Sequence, residues 1–581
     1  MRSRISLPTL VTLLLLSAVP VRVRANGYEL LPGGTQSVAR GGAVSARPEN
    51  AMLLLQDPAG LSLLSGGQMM LNDDVPFHSM CVDSYGYYGW GVYQAGGSEL
   101  DGGDPLKVKL DKSGKPVVGA TYATTPLPQV CNSGRVVGLP QLAWTGKITD
   151  DLGIAAGFVA PSLVAGMQFG GADGTISTDA GPRPTPTRYE LIRQQVKFGL
   201  APSVGLGYRF APFLQVGVAM QVYMAHVVTR AVENATSGTQ PSSDWLLDLD
   251  VHDYFIPAFT FSAHSKPIPE LDLMATFHYG GSFDGSGKVT IETNTFHQGA
   301  ASGAIPYRNA PVPVAEAQVP LPSSLTFGAR YAGHLPEAKP APGKPKGLRD
   351  PMDLEQWDVE LDATYELASL GNKTRVRVDQ DVTVITREAG GGGGIVTAKA
   401  SDIAPVTVDR HLLNAVALRA GGSYSVLPRE LAVNAGVFFE TRGQDPAYAT
   451  IDEFAFQRVG FGLGAMVRLG VFDLLAAYGH IFEETVQVAP PPNQPAEQSS
   501  KTDPTRGFDQ RVGGSFDGLG NRVGGYVLRD PSAPSASQAD AVARVQENAA
   551  LPNAVRSPRV INAGKYTASF NVLSLGAVYH F

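Results

Sequence analysis

The stretch Val196-Lys-Phe-Gly-Leu-Ala-Pro-Ser-Val-Gly-Leu-Gly-Tyr-Arg-Phe210 reads with a period of two. Its even positions are Val, Phe, Leu, Pro, Val, Leu, Tyr and Phe, and the odd positions between them are Lys, Gly, Ala, Ser, Gly, Gly and Arg. Strand side chains alternate between faces, so one face here is apolar and the other small or charged. Ala211-Pro-Phe213 separates this run from Leu214–Met224, where Leu, Val, Val, Met, Val and Met alternate with Gln, Gly, Ala, Gln and Tyr. Two alternating runs so close together predict a β-hairpin.

The pattern recurs along the chain. Trp357, Val359, Leu361, Ala363 and Tyr365 alternate with Asp358, Glu360, Asp362, Thr364 and Glu366, and Val459–Leu469 is set against Arg458, glycines, Met466 and Arg468. About fourteen such segments occur, near residues 66–73, 138–148, 152–168, 188–210, 214–233, 251–265, 271–291, 318–333, 355–370, 409–426, 431–441, 455–469, 471–487 and 567–581. Acidic, basic and glycine residues on the second face suit a water-lined interior. A tilted strand of about ten residues crosses a bilayer, and lipid offers no partner to a free sheet edge. The expectation is an all-β transmembrane antiparallel barrel of about fourteen strands. An even count puts both termini on one side. Connections alternate in length: Thr149–Asp151, Ala211–Phe213, Lys266–Glu270, Leu427–Glu430 and the turn near Gly470 are short, and most others are long, up to Val488–Tyr566. Gly333–Asp353 is the exception, long where a turn belongs. The glycine run Gly390–Gly394 reads as a flexible loop tip, and Ser537–Asn548 as a short helix capped by Ser537.

The ends fit export. Two arginines within Met1–Arg4, an apolar run Leu10–Leu16 reaching Val19, and Val23-Arg24-Ala25 read as a signal peptide of residues 1–25, too short in its apolar part to anchor in a membrane. At the other end Leu573, Leu575, Ala577, Tyr579 and Phe581 alternate with smaller or more polar residues, and an aromatic close such as Tyr579 and Phe581 resembles the assembly signal read by the barrel-assembly machinery. A net charge of −7 argues against a nucleic-acid partner. The two cysteines, Cys81 and Cys131, lie in one Gly/Asp/Pro-rich segment and read as a loop disulfide in an exported chain. Their spacing excludes a CxxC redox or zinc site.

Residues 26–65 lack strand alternation. They run Asn26-Gly-Tyr-Glu-Leu-Leu-Pro-Gly-Gly-Thr, continue through Gly41-Gly42-Ala43, and reach Gln56-Asp57-Pro58-Ala59-Gly60-Leu61. This segment resembles the N-terminal hatch of the FadL-type long-chain fatty-acid and hydrocarbon transporters, whose hatch carries a Gly-x-Ala element and an Asn-Pro-Ala-Gly-Leu-like motif. Asp57 stands where that family has Asn, and Asp supports the same local turn bonds. Pro140–Trp144 with Leu152–Pro161, and Leu321–Gly328, are similar to the family's second hairpin and eighth strand. The resemblance implies residues 26–65 as a plug inside a barrel of residues 66–581. It implies an internal ligand site near Asn26, Gly27 and Tyr28, and a wall opening at the third strand, where Pro161 in Val159-Ala160-Pro161-Ser162 denies the ladder a donor. Pro202 also lies within a strand, so proline alone is not diagnostic. Trp245, Leu246, Leu247 and Leu249 are the expected capture residues on an outer loop, or else open the sixth strand. Arg230 and Arg330 are expected lumen cations.

The function expected is passive uptake of a hydrophobic compound by a monomer in a Gram-negative outer membrane, among lipid and lipopolysaccharide, with no cofactor or metal. A general porin and a structural or adhesive barrel are the alternatives. An outer-membrane lipase needs a nucleophile with a base in reach, and neither GxSxG nor HExxH occurs. Gly460-Phe-Gly-Leu-Gly464 reads as lumen-facing strand glycine rather than a nucleotide loop.

Overall fold

The computed structural model describes residues 33–64, 66–84, 128–159, 166–178, 181–234, 244–293, 307–335, 351–378, 382–387, 393–398, 406–452, 455–489, 555–556 and 564–581. Residues 1–32, with the expected signal peptide and Asn26, Gly27 and Tyr28, lie outside them, as do Ala160, Pro161, Ser162 and Ser537–Asn548.

Fourteen antiparallel strands follow one another around a closed transmembrane barrel: β1 Gln68–Ser84, β2 Leu139–Lys147, β3 Leu152–Val159, β4 Arg193–Ala211, β5 Leu214–Asn234, β6 Asp244–Ile268, β7 Leu271–Tyr279, β8 Ser324–His334, β9 Glu355–Glu366, β10 Ala415–Leu427, β11 Leu431–Glu440, β12 Arg458–Leu469, β13 Phe472–Glu483 and β14 Gly564–His580. Each pairs with its sequence neighbour, and β14 closes on β1 in continuous register from Gln68↔His580 to Ser84↔Gly564. Closure of β14 on β1 pairs the two end strands that would otherwise face lipid with open edges. β8 and β9 pair directly from Ser324↔Glu366 to His334↔Glu355, so the long connection after Gly333 is a long turn and the strand count does not slip there.

Alternation sets the two faces. Val204, Leu206, Tyr208, Val216 and Val218 are exposed on the outside, while Ser203, Gln215 and Gln221 are buried inside. Trp144, Phe213, Phe472, Tyr579 and Phe581 are exposed toward the short-turn end, where amphipathic rings meet a membrane interface. Phe581 and Gly67 exchange two backbone hydrogen bonds (3.0 and 3.3 Å), tying the last residue to the entrance of β1.

Several expectations change at the long-loop end, where strands outrun the bilayer. β1 extends to Ser84 rather than 73. Cys81 and Cys131 are bonded, but across a strand pair rather than in a loop, since Cys81 of β1 faces Cys131 of the short strand Val130–Cys131. Gly393 and Gly394 are strand residues paired with Arg387 and Thr386. Of the two readings of Trp245, Leu246, Leu247 and Leu249 the structure takes the second: they open β6, between β5 and the strand Ser282–Thr293, and are not on an exposed loop. Trp245 and Leu246 are buried. A loop was expected because a register shift between Asp253 and Ile256 flips the alternation of β6 halfway along.

Candidate functional site: the filled lumen

The segment Gly33–Leu64 is packed against the inward faces of the barrel. It holds helix α1 (Thr35–Ala39), helix α2 (Leu53–Gln56) and a 3-10 turn at Pro58–Leu63. None is long enough to be stable alone, so the wall supplies their stability. At one end the Gly34 N–H donates to Asp74 Oδ2 (3.1 Å), and the Thr35 hydroxyl donates to Asn72 Oδ1 (3.1 Å) and accepts from Ser574 (2.8 Å). In the middle Arg40, fully buried, reaches Asp358 (2.7 Å) and Glu360 (2.9 Å), and donates to Ser423 (2.6 Å). Val44 and Ser45 N–H groups donate to Asp362 Oδ2 (3.2 and 3.1 Å), Ala46 N–H to Glu360 (2.6 Å), and Arg47 pairs with Asp358. At the far end the Ala59 N–H donates to Ser262 Oγ (2.8 Å), and Gln56 O accepts from Thr276 (3.0 Å). Polar positions that alternation assigned to a watery interior therefore meet this segment, satisfying buried backbone donors that its short helices leave open.

Glycines on the inner wall admit it. Gly421, Gly436 and Gly462 stand in register on β10, β11 and β12. A Cβ on Gly421 meets Arg40 O at 2.6 Å, and on Gly436 or Gly462 it collides with Arg40 O or Val38 O. Opposite them Gly41 takes φ 60°, a left-handed conformation that favours glycine, and its own Cβ position is 2.8 Å from Gly436 backbone. Gly462 is the middle glycine of Gly460–Gly464. A cavity of about 20 Å³ between Gly33, Gln36, Val44, Arg47, Met52 and Met70 is water-sized.

Asp57 departs from expectation. Its side chain makes no cap hydrogen bond to the turn that it precedes. Instead Oδ2 lies 2.7 Å from His264 Nδ1 on β6. Pro58, Ala59 and Gly60 form the buried 3-10 turn, and Gly42 follows Gly41 with φ 84°. Arg330 faces inward, fully buried, and pairs with Asp272 (3.1 Å), Asp358 (3.3 Å) and Glu355; these partners hold it as part of the wall-to-segment network. Arg230 is not a lumen residue: it shares the face of β5 that carries exposed Val216 and Val218, and pairs with Asp248. The charged set His264, Asp272, Glu355 and Asp358 was not singled out from sequence as part of a site. The signal was available as charges on the inner register of adjacent strands.

On the loop side of the lumen segment, Trp245, Val251, Ile256, Phe283, Val289, Ile291, Val312 and Ala317 form an apolar cluster, flanked by partly buried Tyr223, Leu247 and Leu249. A second cluster joins Met80, Val130, Phe169, Leu191, Ile451, Phe456 and Tyr566. Glu190, at the end of the turn Pro186–Tyr189 outside the strands, accepts from Ile451 N–H (2.8 Å) and from the Tyr566 hydroxyl (3.1 Å). Burial, with the nearby Asp452 charge adding to it, pushes the Glu190 carboxyl up to about 8.

The β3–β4 ladder runs from Leu152↔Tyr208 to Val159↔Ala201, and the next described pair with β4 is Gly166↔Gln195. The β1–β2 ladder likewise stops at Asp74↔Leu139, and β1 pairs again at Cys81↔Cys131.

No family profile matches the sequence, and no curated protein matches it. Solved structures do. A FadL homologue of Pseudomonas aeruginosa superposes with a TM-score of 0.59 at 14% identity, covering 96% of this chain and 100% of its own. The toluene transporter TbuX of Ralstonia pickettii gives 0.51 at 11% identity, covering 94% and 98%. The toluene transporter TodX of Pseudomonas putida gives 0.51 at 13% identity, with the same coverage. At these identities the likeness concerns architecture, and it extends over nearly the whole of each chain: the protein has the FadL-type barrel fold.

Proposed function

We propose that the protein is an outer-membrane passive transporter for hydrophobic compounds, long-chain fatty acids or aromatic hydrocarbons, exported by residues 1–25 and plugged by residues 26–65. The observation that carries this reading is the packing of Gly33–Leu64 against the inward faces of the barrel wall, through Asp74, Asp358, Glu360 and Ser262. Fourteen strands enclose more space than wall side chains fill, and a general porin keeps that space open to water. An apolar ligand has no need of a water-filled path. It needs an apolar route and a way into the bilayer. The apolar clusters on the loop side supply the first. For the second, we look to lateral release at the third strand, where Pro161 lacks a backbone donor and so weakens the ladder. Trp245 and Leu246 are buried, so capture falls to partly exposed neighbours such as Leu247 and Leu249.

The test is uptake of labelled oleate or toluene by cells without carriers of their own. Expression of this chain raises uptake, and replacing Val159–Ser162 by a well-pairing Val/Thr run abolishes it while the barrel still folds. Undiminished uptake by that variant refutes the lateral route. Liposome swelling by small sugars refutes the plugged carrier in favour of a porin.

A further inference from the structure

His264 is held between two carboxylates with no access to water. Its Nδ1 lies 2.7 Å from Asp57 Oδ2 in the lumen segment, its Nε2 lies 3.2 Å from Asp272 Oδ1 on β7, and all three side chains are fully buried. An ionised carboxylate only accepts hydrogen bonds, and a neutral imidazole donates from one nitrogen only. Both contacts are met together by the imidazolium alone. When the ring is neutral, one nitrogen turns a lone pair toward a carboxylate oxygen at hydrogen-bond distance.

The two carboxylates are not equally served. Asp272 also faces Arg330 of β8 (3.1 Å) and Lys266 of β6 (3.3 Å), and Arg330 leads on to Glu355 and Asp358 of β9. On the β5 side His264 stands opposite Gln215, which is uncharged. Among the described residues, Asp57 has His264 as its ion-pair partner, and its second oxygen, Oδ1, accepts no hydrogen bond. Loss of the ring proton therefore strands Asp57 rather than Asp272. Asp57 begins the turn Pro58–Leu63, whose seat is shared with Ser262 on β6, with the Lys147 ammonium of β2, which donates to Ser62 O, and with the wall at Gly207 and Gly217 on β4 and β5.

We infer that Asp57, His264 and Asp272 form a proton-linked latch: the imidazolium fastens residues 57–64 to β6, and its deprotonation lets that part of the plug lift beside β4. The inference rests on the reading of residues 26–65 as a plug. Arg40 and Arg47 fasten the other half of the segment to Asp358 and Glu360, and the Val44 and Ser45 N–H groups fasten it to Asp362.

The test uses the full chain with Ser62→Cys, whose side chain is buried in the turn, both native cysteines being bonded to each other. Labelling by a maleimide–polyethylene glycol is followed from pH 6 to 9.5, each rate normalised to that of the denatured protein at the same pH. The expected labelling is slow at pH 6 and rises about ten- to a hundredfold across the titration of the ring, the range set by leaving a buried charged group unpaired. In Asp57→Asn the profile is flat, since an amide can donate to a neutral ring and accept from a charged one. In His264→Gln it is fast throughout. Slow, pH-independent labelling of the Ser62→Cys protein overturns the latch and leaves the plug standing. Fast labelling at every pH overturns both. Retention of the pH profile in Asp57→Asn overturns the latch, and this arm decides alone if His264→Gln does not fold.

Discussion

Replacing Arg40 by Met keeps the aliphatic stem and removes the guanidinium. The charge lost is fully buried and serves four acceptors: Asp358 (2.7 Å), Glu360 (2.9 Å), Ser423 (2.6 Å) and Ala43 O (2.8 Å). Breaking one partner out of a buried ion pair costs about 3–5 kcal/mol. Here the carboxylates keep other donors, since Asp358 still faces Arg47 and Arg330, and Glu360 still accepts from the Ala46 N–H. The lower end, about 3 kcal/mol, is the better figure, and at about 1.4 kcal/mol per decade it is worth about two decades in the seated-to-lifted equilibrium of the segment. The barrel ladder does not pass through Arg40, so thermal unfolding of the barrel is unchanged. Ion conductance of the full chain in planar bilayers reads the equilibrium directly, and its open fraction rises about a hundredfold. Arg209→Met is the control, because its pair with Asp151 (3.2 Å) is exposed and worth about 0–1 kcal/mol. Equal conductance of the two variants, or loss of the folded barrel in Arg40→Met, refutes the reasoning.

Gly462→Val places a methyl-bearing carbon on Val38 O and opens the same seam by steric conflict, so conductance rises although the net charge is unchanged. The outer cap is sensitive to pH through Glu190. Its carboxyl is raised from 4.5 to about 8 in the folded chain, so the stabilisation is complete below the ordinary carboxylate range and is lost as pH rises toward and through about 8. Hydrogen exchange at Ile451 becomes faster over that window, and Glu190→Gln removes the dependence. Reducing the Cys81–Cys131 bond, which closes a separation of 50 residues, costs about 4 kcal/mol on the chain-entropy estimate, read as faster exchange at the loop-side end of β1 with the membrane belt unaffected.

Much of this architecture was legible in the chain because lipid and lumen impose a period of two that no turn or loop mimics for long. Each of the fourteen expected segments overlaps a barrel strand, although 271–291 divides into β7 and the separate strand Ser282–Thr293. What was illegible has a common cause. Above the bilayer a strand no longer needs an apolar outer face, so β1 and β6 continue where alternation fades, and a single bulge at Asp253/Ile256 reverses which side Trp245 and Leu249 occupy. Arg230 lies in that same region. The lumen was readable as polar, but not as partnered: Asp57, at a position read as a turn residue, makes its bond to His264, 207 residues away, and no local pattern carries that pairing.

The seam between β1 and β14 has a consequence for how such a chain reaches its final form. Ser574 bonds Asp74 across it from 500 residues away. Bringing ends that distant together costs about 4–5 kcal/mol more entropy than a three-residue hairpin turn does. That cost falls on the first contact alone, and every later pair of the ladder forms beside one already made. The cylinder is thus a slow clasp followed by a fast zip, and thirteen paired strands are not most of a barrel but an open sheet with two unsatisfied edges.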